Sequence, residues 1–344
     1  MKKLVLSVVL SVAVGLSLVS AQVLNRNPFE KLDPALDELI SPGALLEQLA
    51  THFGFLEGPV WVDDGEDGYL VFADMAANVL YKWTPYEREF SVFFDRPGYT
   101  GHDFWTVGMD QNNGREEFFM HGSNGLALDT EGNFVVAGWA SRSIKRLEKD
   151  GSQTTLAERY DGKRFGGPND LVVKKTGTIY FTDGPGGLRL REKDPARELM
   201  FRGVFMLKDG EVSLVGELDG ANGILLSPDE RYLYASSGGG KTIWRWDVQA
   251  DDSTANGRMF IDMSADKRSG IIDGMKVDER GNIWTSCCGG VHILTPEGKP
   301  LGMFRTPLGV TNLAFGGPNW KTLYITARSD LYRIRTRVAG IPGR

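Results

Sequence analysis

Six times along the 344 residues the same three-strand unit returns, and this recurrence limits the fold more than any other feature of the chain. The first strands read EGPVWVD, NGLALDT, NDLVVKK, NGILLSP, DGMKVDE and NLAFGGP. The second strands read GYLVFAD, GNFVVAG, GTIYFTD, RYLYASS, GNIWTSC and KTLYITA. The third strands, in the same order, read NVLYKW, SIKRLE, GVFMLK, TIWRWD, GVHILT and DLYRIR. The first strands open at Glu57, Asn124, Asn169, Asn222, Asp273 and Asn312, which are 67, 45, 53, 51 and 39 residues apart. That interval is the length of a four-stranded propeller blade, and six such sheets closed in a ring leave no long exposed edges. The pattern therefore predicts an all-β chain, a six-bladed β-propeller over residues 50–344. The long first interval holds an aromatic- and Gly-rich insertion, residues 96–123, expected to wall one mouth of the channel.

Ahead of the repeats, residues 22–49 form an N-terminal extension in which DPALDELISPGALLEQLA reads as a short helical piece broken near Pro42 and Gly43. Residues 1–21 pair Lys2 and Lys3 with an apolar run and end in Ser20 and Ala21, the pattern of a signal peptide cleaved after Ala21. A single membrane anchor is the alternative, but the run is short for a span. Periplasmic or secreted location follows from the first reading. Cleavage removes two lysines and no acid, so the net charge moves from −6 to −8. An acidic chain of this kind argues against nucleic acid or an anionic membrane as partner, and the oligomeric state is left open. The only cysteines, Cys287 and Cys288, are neighbours. They cannot join distant segments, and two small apolar strand residues are expected there rather than a vicinal disulfide.

The innermost strand of each blade lines the channel, so its opening residue lies near the axis. All six openers are acids or amides. Asx residues often start strands as turn caps, but that does not account for Glu57, which Gly58 and Pro59 follow. Asp273 falls on the same alternation as Met275 and Val277 and is expected to point inward with them. Carboxylate and amide oxygens are hard ligands suited to Ca²⁺, and two acids would balance one divalent cation. Four scattered histidines offer no structural zinc site. Zn²⁺, Mn²⁺ and Mg²⁺ remain as alternative ions for the oxygen ring. No G-x-S-x-G elbow, P-loop or dinucleotide fingerprint occurs.

EGPVW (57–61), YDGKRFGGPNDLVVKKTGTIYFTDGP (160–185), NGILLSPDERYLYAS (222–236), DGMKVDERGNIW (273–284) and TNLAFGGPNWKTLYIT (311–326) together resemble the senescence marker protein/gluconolactonase family. That family includes regucalcin and is related to the squid-type diisopropyl fluorophosphatase. The likeness spans about residues 52–336 and is nearest to bacterial gluconolactonases. It implies a metal-dependent hydrolase that opens a lactone, foremost a sugar lactone, with water activated at the metal on the axis. It places metal ligands at Glu57, Asn169, Asn222 and Asp273, with Asn124 and Asn312 behind them. Asp273 becomes the base or the nucleophile, with Glu57 beside it in the catalytic centre. Asn169, Asp183, Arg164 and His121 are candidate substrate contacts. Bacterial gluconolactonases read RLNSPND and FTDPPYG where this chain has RFGGPND (164–170) and FTDGPGG (181–187), so the mouth of the channel departs from the family pattern. A non-catalytic calcium-binding scaffold, or a hydrolase of other esters or phosphotriesters, is the alternative on the same site.

Overall fold

In the computed structural model, which describes residues 22–24 and 28–343, the six repeats form six antiparallel sheets in a ring. The first blade comprises Leu56–Val62, Tyr69–Asp74, Val79–Thr84 and Glu89–Asp95. The second comprises Leu126–Leu128, Phe134–Gly138, Ser143–Leu147 and Gln153–Ala157. The third comprises Pro168–Val173, Ile179–Asp183, Gly203–Lys208 and Glu211–Glu217. The fourth comprises Ala221–Leu226, Tyr232–Ser237, Thr242–Val248 and Thr254–Asp262. The fifth comprises Met275–Val277, Ile283–Cys287, Gly290–Leu294 and Pro300–Arg305. The expected signal peptide, residues 1–21, lies outside the described residues.

The sixth blade has only three strands of its own, Asn312–Gly316, Thr322–Ala327 and Asp330–Arg335. Its fourth is Leu46–Ala50, from the N-terminal extension, paired through Glu47 with Arg333 and Gln48 with Tyr332. The helical extension expected for residues 22–49 thus reduces to one turn, Leu36–Leu39. Gln22–Leu24 and Phe29–Lys31 are strands that add to the sixth and fifth blades. The apolar spacing of LLEQLA suits a helix. Without this segment, however, Asp330–Arg335 would keep an open edge, and tertiary pairing outweighs local propensity.

The core is divided among the seams between neighbouring blades. Each seam buries apolar side chains from two adjacent sheets, such as Ile144 with Phe181 between blades two and three, and Trp284 with Phe315 between five and six. Burial of this kind contributes about 25 cal/mol per Å² of apolar surface, which binds the blades into one ring. Cys287 and Cys288 lie in the seam between blades four and five. Contrary to the expectation of two unbonded residues, they are joined to each other as a disulfide.

One buried carboxylate ties three separate parts of the chain together. Asp330 is 1% exposed. It accepts hydrogen bonds from Gln48 Nε2 (3.0 Å) and Thr51 Oγ1 (2.6 Å) in the N-terminal segment, and from Tyr332 OH (2.6 Å) in its own blade. Arg115, at the tip of the insertion hairpin Met109–Asn112/Glu117–Met120, bonds both of its oxygens at 3.0 and 2.9 Å. Asp330→Ala leaves these donors without an acceptor, and Arg115 is only partly screened by water. The expected loss is about 2–4 kcal/mol of stability, read as a lowered denaturant midpoint. A change below about 0.5 kcal/mol would show that the knot holds nothing.

The insertion is fixed over one mouth of the channel by backbone contacts, Gly108 N to Gly187 O (2.9 Å) and His121 N to Met75 O (3.1 Å), and by Lys145 Nζ to Gly98 O (2.8 Å).

Candidate functional site

The residues that open the inner strands are aimed by local irregularities in the ladders. In blades one, three and four the register slips at Glu57/Val60, Pro168/Leu171 and Ala221/Ile224, bulges of the kind that redirect a side chain. In blades two and five the ladder begins only at Leu126 and Met275, so Asn124 and Asp273 stand ahead of it. The alternation expected to join Asp273 to Met275 and Val277 therefore does not carry through. Met275 and Val277 pack in the seam with blade four, while Lys276 reaches Asn312 Oδ1 at 3.2 Å. Asp273 is instead held by its own backbone, whose N–H donates to Ser286 Oγ at 2.7 Å.

Glu57, Asn124, Asn222 and Asp273 are each followed by glycine. A Cβ on Gly58 would stand 2.4 Å from the Asn124 carbonyl oxygen, and one on Gly274 2.2 Å from the Asn312 side chain. Neighbouring inner strands approach too closely there for any larger residue.

Glu57, Asn124, Asn169, Asn222 and Asp273 all line one cavity of about 230 Å³ at the mouth beneath the insertion. Asn124 thus faces the cavity itself rather than sitting behind the other four. Asn312 does not line it. Its Nδ2 donates to Glu57 Oε2 (3.2 Å) and to Asp170 Oδ2 (3.4 Å), and its Oδ1 accepts from Lys276.

The electrostatics of the axis are those of acids short of compensating charge. Burial, and then the carboxylate of Asp170, push the Glu57 carboxyl up to about 8. Burial, followed by Glu57 and Asp170, holds Asp273 well above the usual carboxylate range. Lys276 is the cation that acts on Glu57 and Asp170 from below. The side-chain oxygens of Asn124 and Asn222 are buried with no protein donor. Repelling carboxylates together with unpartnered amide oxygens fit a hard divalent cation, which takes six to eight oxygen ligands. The fit rests on amides as much as on acids. Among the described residues no group of three or more His, Cys, Asp and Glu is placed to hold a metal.

Asp183, Arg164 and His121 stand away from this cavity. Asp183 is 1% exposed, and its two oxygens accept the backbone N–H groups of Gly166 (3.0 Å) and Gly167 (2.8 Å). Burial raises it to about 6. The carboxylate thereby braces the turn that delivers Asn169, as Asp74 braces Gly54 and Phe55 ahead of Glu57. Arg164 turns to the Ser141 carbonyl at 3.3 Å and lies 3.9 Å from Glu158. The His121 ring lies against Phe104 and Phe119, at 5.1 and 5.8 Å between centroids, and burial lowers its pKa.

Three features of the site went unread in the sequence. Asp170 is one, and its signal was there: Asn169 is followed by an acid where four of the other ring residues are followed by glycine. A second is the apolar wall of Phe55, Met75, Met109, Met120 and Trp139. The third is the pair Arg191 and Arg202 at the rim. Trp139 also explains the glycines of FTDGPGG, since a Cβ on Gly186 would lie 2.6 Å from its Nε1.

Comparison with known proteins adds an independent line. Residues 55–329 match the family model described as SMP-30/Gluconolactonase/LRE-like region. A gluconolactonase of Zymomonas mobilis is 32% identical over 90% of this chain and 86% of its own length. A 6-deoxy-6-sulfogluconolactonase of Pseudomonas putida is 29% identical over 60% of this chain and 68% of its own. The solved structure of a gluconolactonase from Xanthomonas campestris superposes with a TM-score of 0.76 at 27% identity, covering 93% of this chain and 98% of that one.

Proposed function

This chain belongs to the SMP-30/gluconolactonase/LRE-like family, and from that membership we propose that it is a metal-dependent lactone hydrolase, with sugar lactones as the leading substrates. The observation that carries the reading is the meeting of Glu57, Asn169, Asn222 and Asp273 in one cavity. A divalent cation held by these four, Ca²⁺ foremost, would supply Lewis acidity to the lactone carbonyl and lower the pKa of nearby water. The remaining chemistry belongs to the side chains. Asp273 takes the proton of the attacking water as its oxygen bonds to the carbonyl carbon. The ring C–O bond breaks, and the proton passes to the departing ring oxygen. Direct attack by an Asp273 oxygen on the carbonyl carbon, followed by hydrolysis of the resulting acyl-enzyme, uses the same placement. The Asn169 and Asn222 amides orient the ester, and the apolar wall with the insertion above it limits the entry of bulk water.

The test is hydrolysis of a panel of aldonolactones by chelator-treated protein, with Ca²⁺, Zn²⁺, Mn²⁺ or Mg²⁺ returned one at a time. Turnover is expected to be lost on chelation and regained with at least one ion. Failure of every ion on every lactone would leave a calcium-binding scaffold or another ester as substrate.

A further inference from the structure

The charged groups that line the cavity fall into two sets. Glu57 and Asp273 lie on the axis. Arg191 and Arg202 lie at the rim, on the loop that follows the second strand of blade three. No acid lines the rim. Arg202 is engaged by Glu192 and stands 3.8 Å from Asp219. Arg191 makes no hydrogen bond or ion pair with its side chain among the described residues.

The loop that presents Arg191 is firmly built. The Asp194 carboxylate accepts the backbone N–H groups of Leu190 and Ala196, both at 2.9 Å, and Asp194 N donates to Arg191 O at 3.1 Å. Arg191 itself holds φ 51, a backbone region in which glycine or asparagine would be relaxed. A guanidinium without an ionic partner, on a rigid loop and in a strained backbone, suits a residue kept for what it binds. With a divalent cation offsetting the two axial acids and Glu192 offsetting Arg202, one positive charge at the rim remains unmatched.

We propose, resting on the lactone-hydrolase reading, that the substrate is a lactone carrying one further anionic group, which Arg191 holds with Arg202 beside it while the ring ester lies over the axial oxygens. The shared chemistry is that of an oxoanion substituent, a carboxylate or a phosphate, recognised by the planar fork of arginine. A neutral sugar lactone would reach the axis but leave Arg191 unanswered. The site would then discriminate by charge as well as by ring.

Two measurements test this. The first compares kcat/KM for the neutral glucono-lactone, the carboxylate-bearing glucaro-lactone and 6-phosphogluconolactone, in the native protein, Arg191→Ala and Arg191→Lys. At least one anionic lactone is expected to be preferred by about tenfold or more. That ratio should collapse in Arg191→Ala and partly recover in Arg191→Lys. The second measures binding of gluconate, glucarate and 6-phosphogluconate by calorimetry with the metal present, and needs no turnover. One of the two dianions should bind about tenfold tighter than gluconate, and the advantage should vanish in Arg191→Ala and shrink at high salt. Equal binding of all three, or a preference that survives Arg191→Ala, overturns the proposal. An Arg191-dependent preference without turnover of any lactone upholds the anion site and overturns the lactone-hydrolase reading instead.

Discussion

Asp273→Asn should lose lactone turnover by a factor of ~10³ while melting no lower than the parent protein in metal-free buffer. The two halves of this expectation have different causes. The loss of activity comes from removing the one axial acid that can accept a proton from water or attack the carbonyl. The unchanged melting follows from the state of the carboxylate. Burial, with Glu57 and Asp170 nearby, already disfavours its charge, so a neutral amide of the same shape relieves an electrostatic cost. The backbone anchor to Ser286 Oγ does not involve the carboxylate and survives the change. Initial rates and a thermal melt with chelator present check both halves. A fully active variant would show that Asp273 is neither base nor nucleophile. A marked drop in metal-free melting would give the carboxylate a structural role instead.

The second large effect concerns Glu57. If the axial oxygens hold Ca²⁺, supplying the ion at ~100 times its dissociation constant should raise the melting temperature of the parent by roughly 5 °C, because a ligand bound only to the folded state stabilises it by about 2.7 kcal/mol. Glu57→Gln should abolish most of that rise. The variant keeps an oxygen for the Asn312 amide, which donates to Glu57 Oε2 at 3.2 Å, so the mutation tests charge rather than packing. A melting series against Ca²⁺ for parent and variant reads the effect directly. If Glu57→Gln retains the whole shift, the cation binds somewhere other than the axis.

The blades were legible because each one repeats a local code: alternation, a turn, alternation again. The ring was legible because six polar residues recur at one register position. What escaped were features set by distant partners. LLEQLA looks helical until Asp330–Arg335, almost three hundred residues later, offers it an edge. Asp183 has the composition of a substrate contact, but its carboxylate faces the backbone of Gly166 and Gly167. His121 and Arg164 lie near the mouth in sequence, yet aromatic packing and a neighbouring carbonyl claim them. Arg191 gave no signal, since one arginine in a charged loop resembles any other until the loop's path is known. Asp170 could have been found by asking which ring residue lacks its glycine.

The sixth blade also sets an order of events in synthesis. The strand that completes it, Leu46–Ala50, is among the first segments to leave the ribosome, and its partner, Asp330–Arg335, is among the last. Five blades can gather while the sixth waits, and the early strand has no edge to join until translation is nearly over. Closure is therefore the most non-local step of folding, with the longest loop to close, and the one expected to be slow. Until it happens both strand edges are open to wrong partners. A nascent chain halted a few residues short of Arg335 would carry nearly all of the propeller and still lack its clasp.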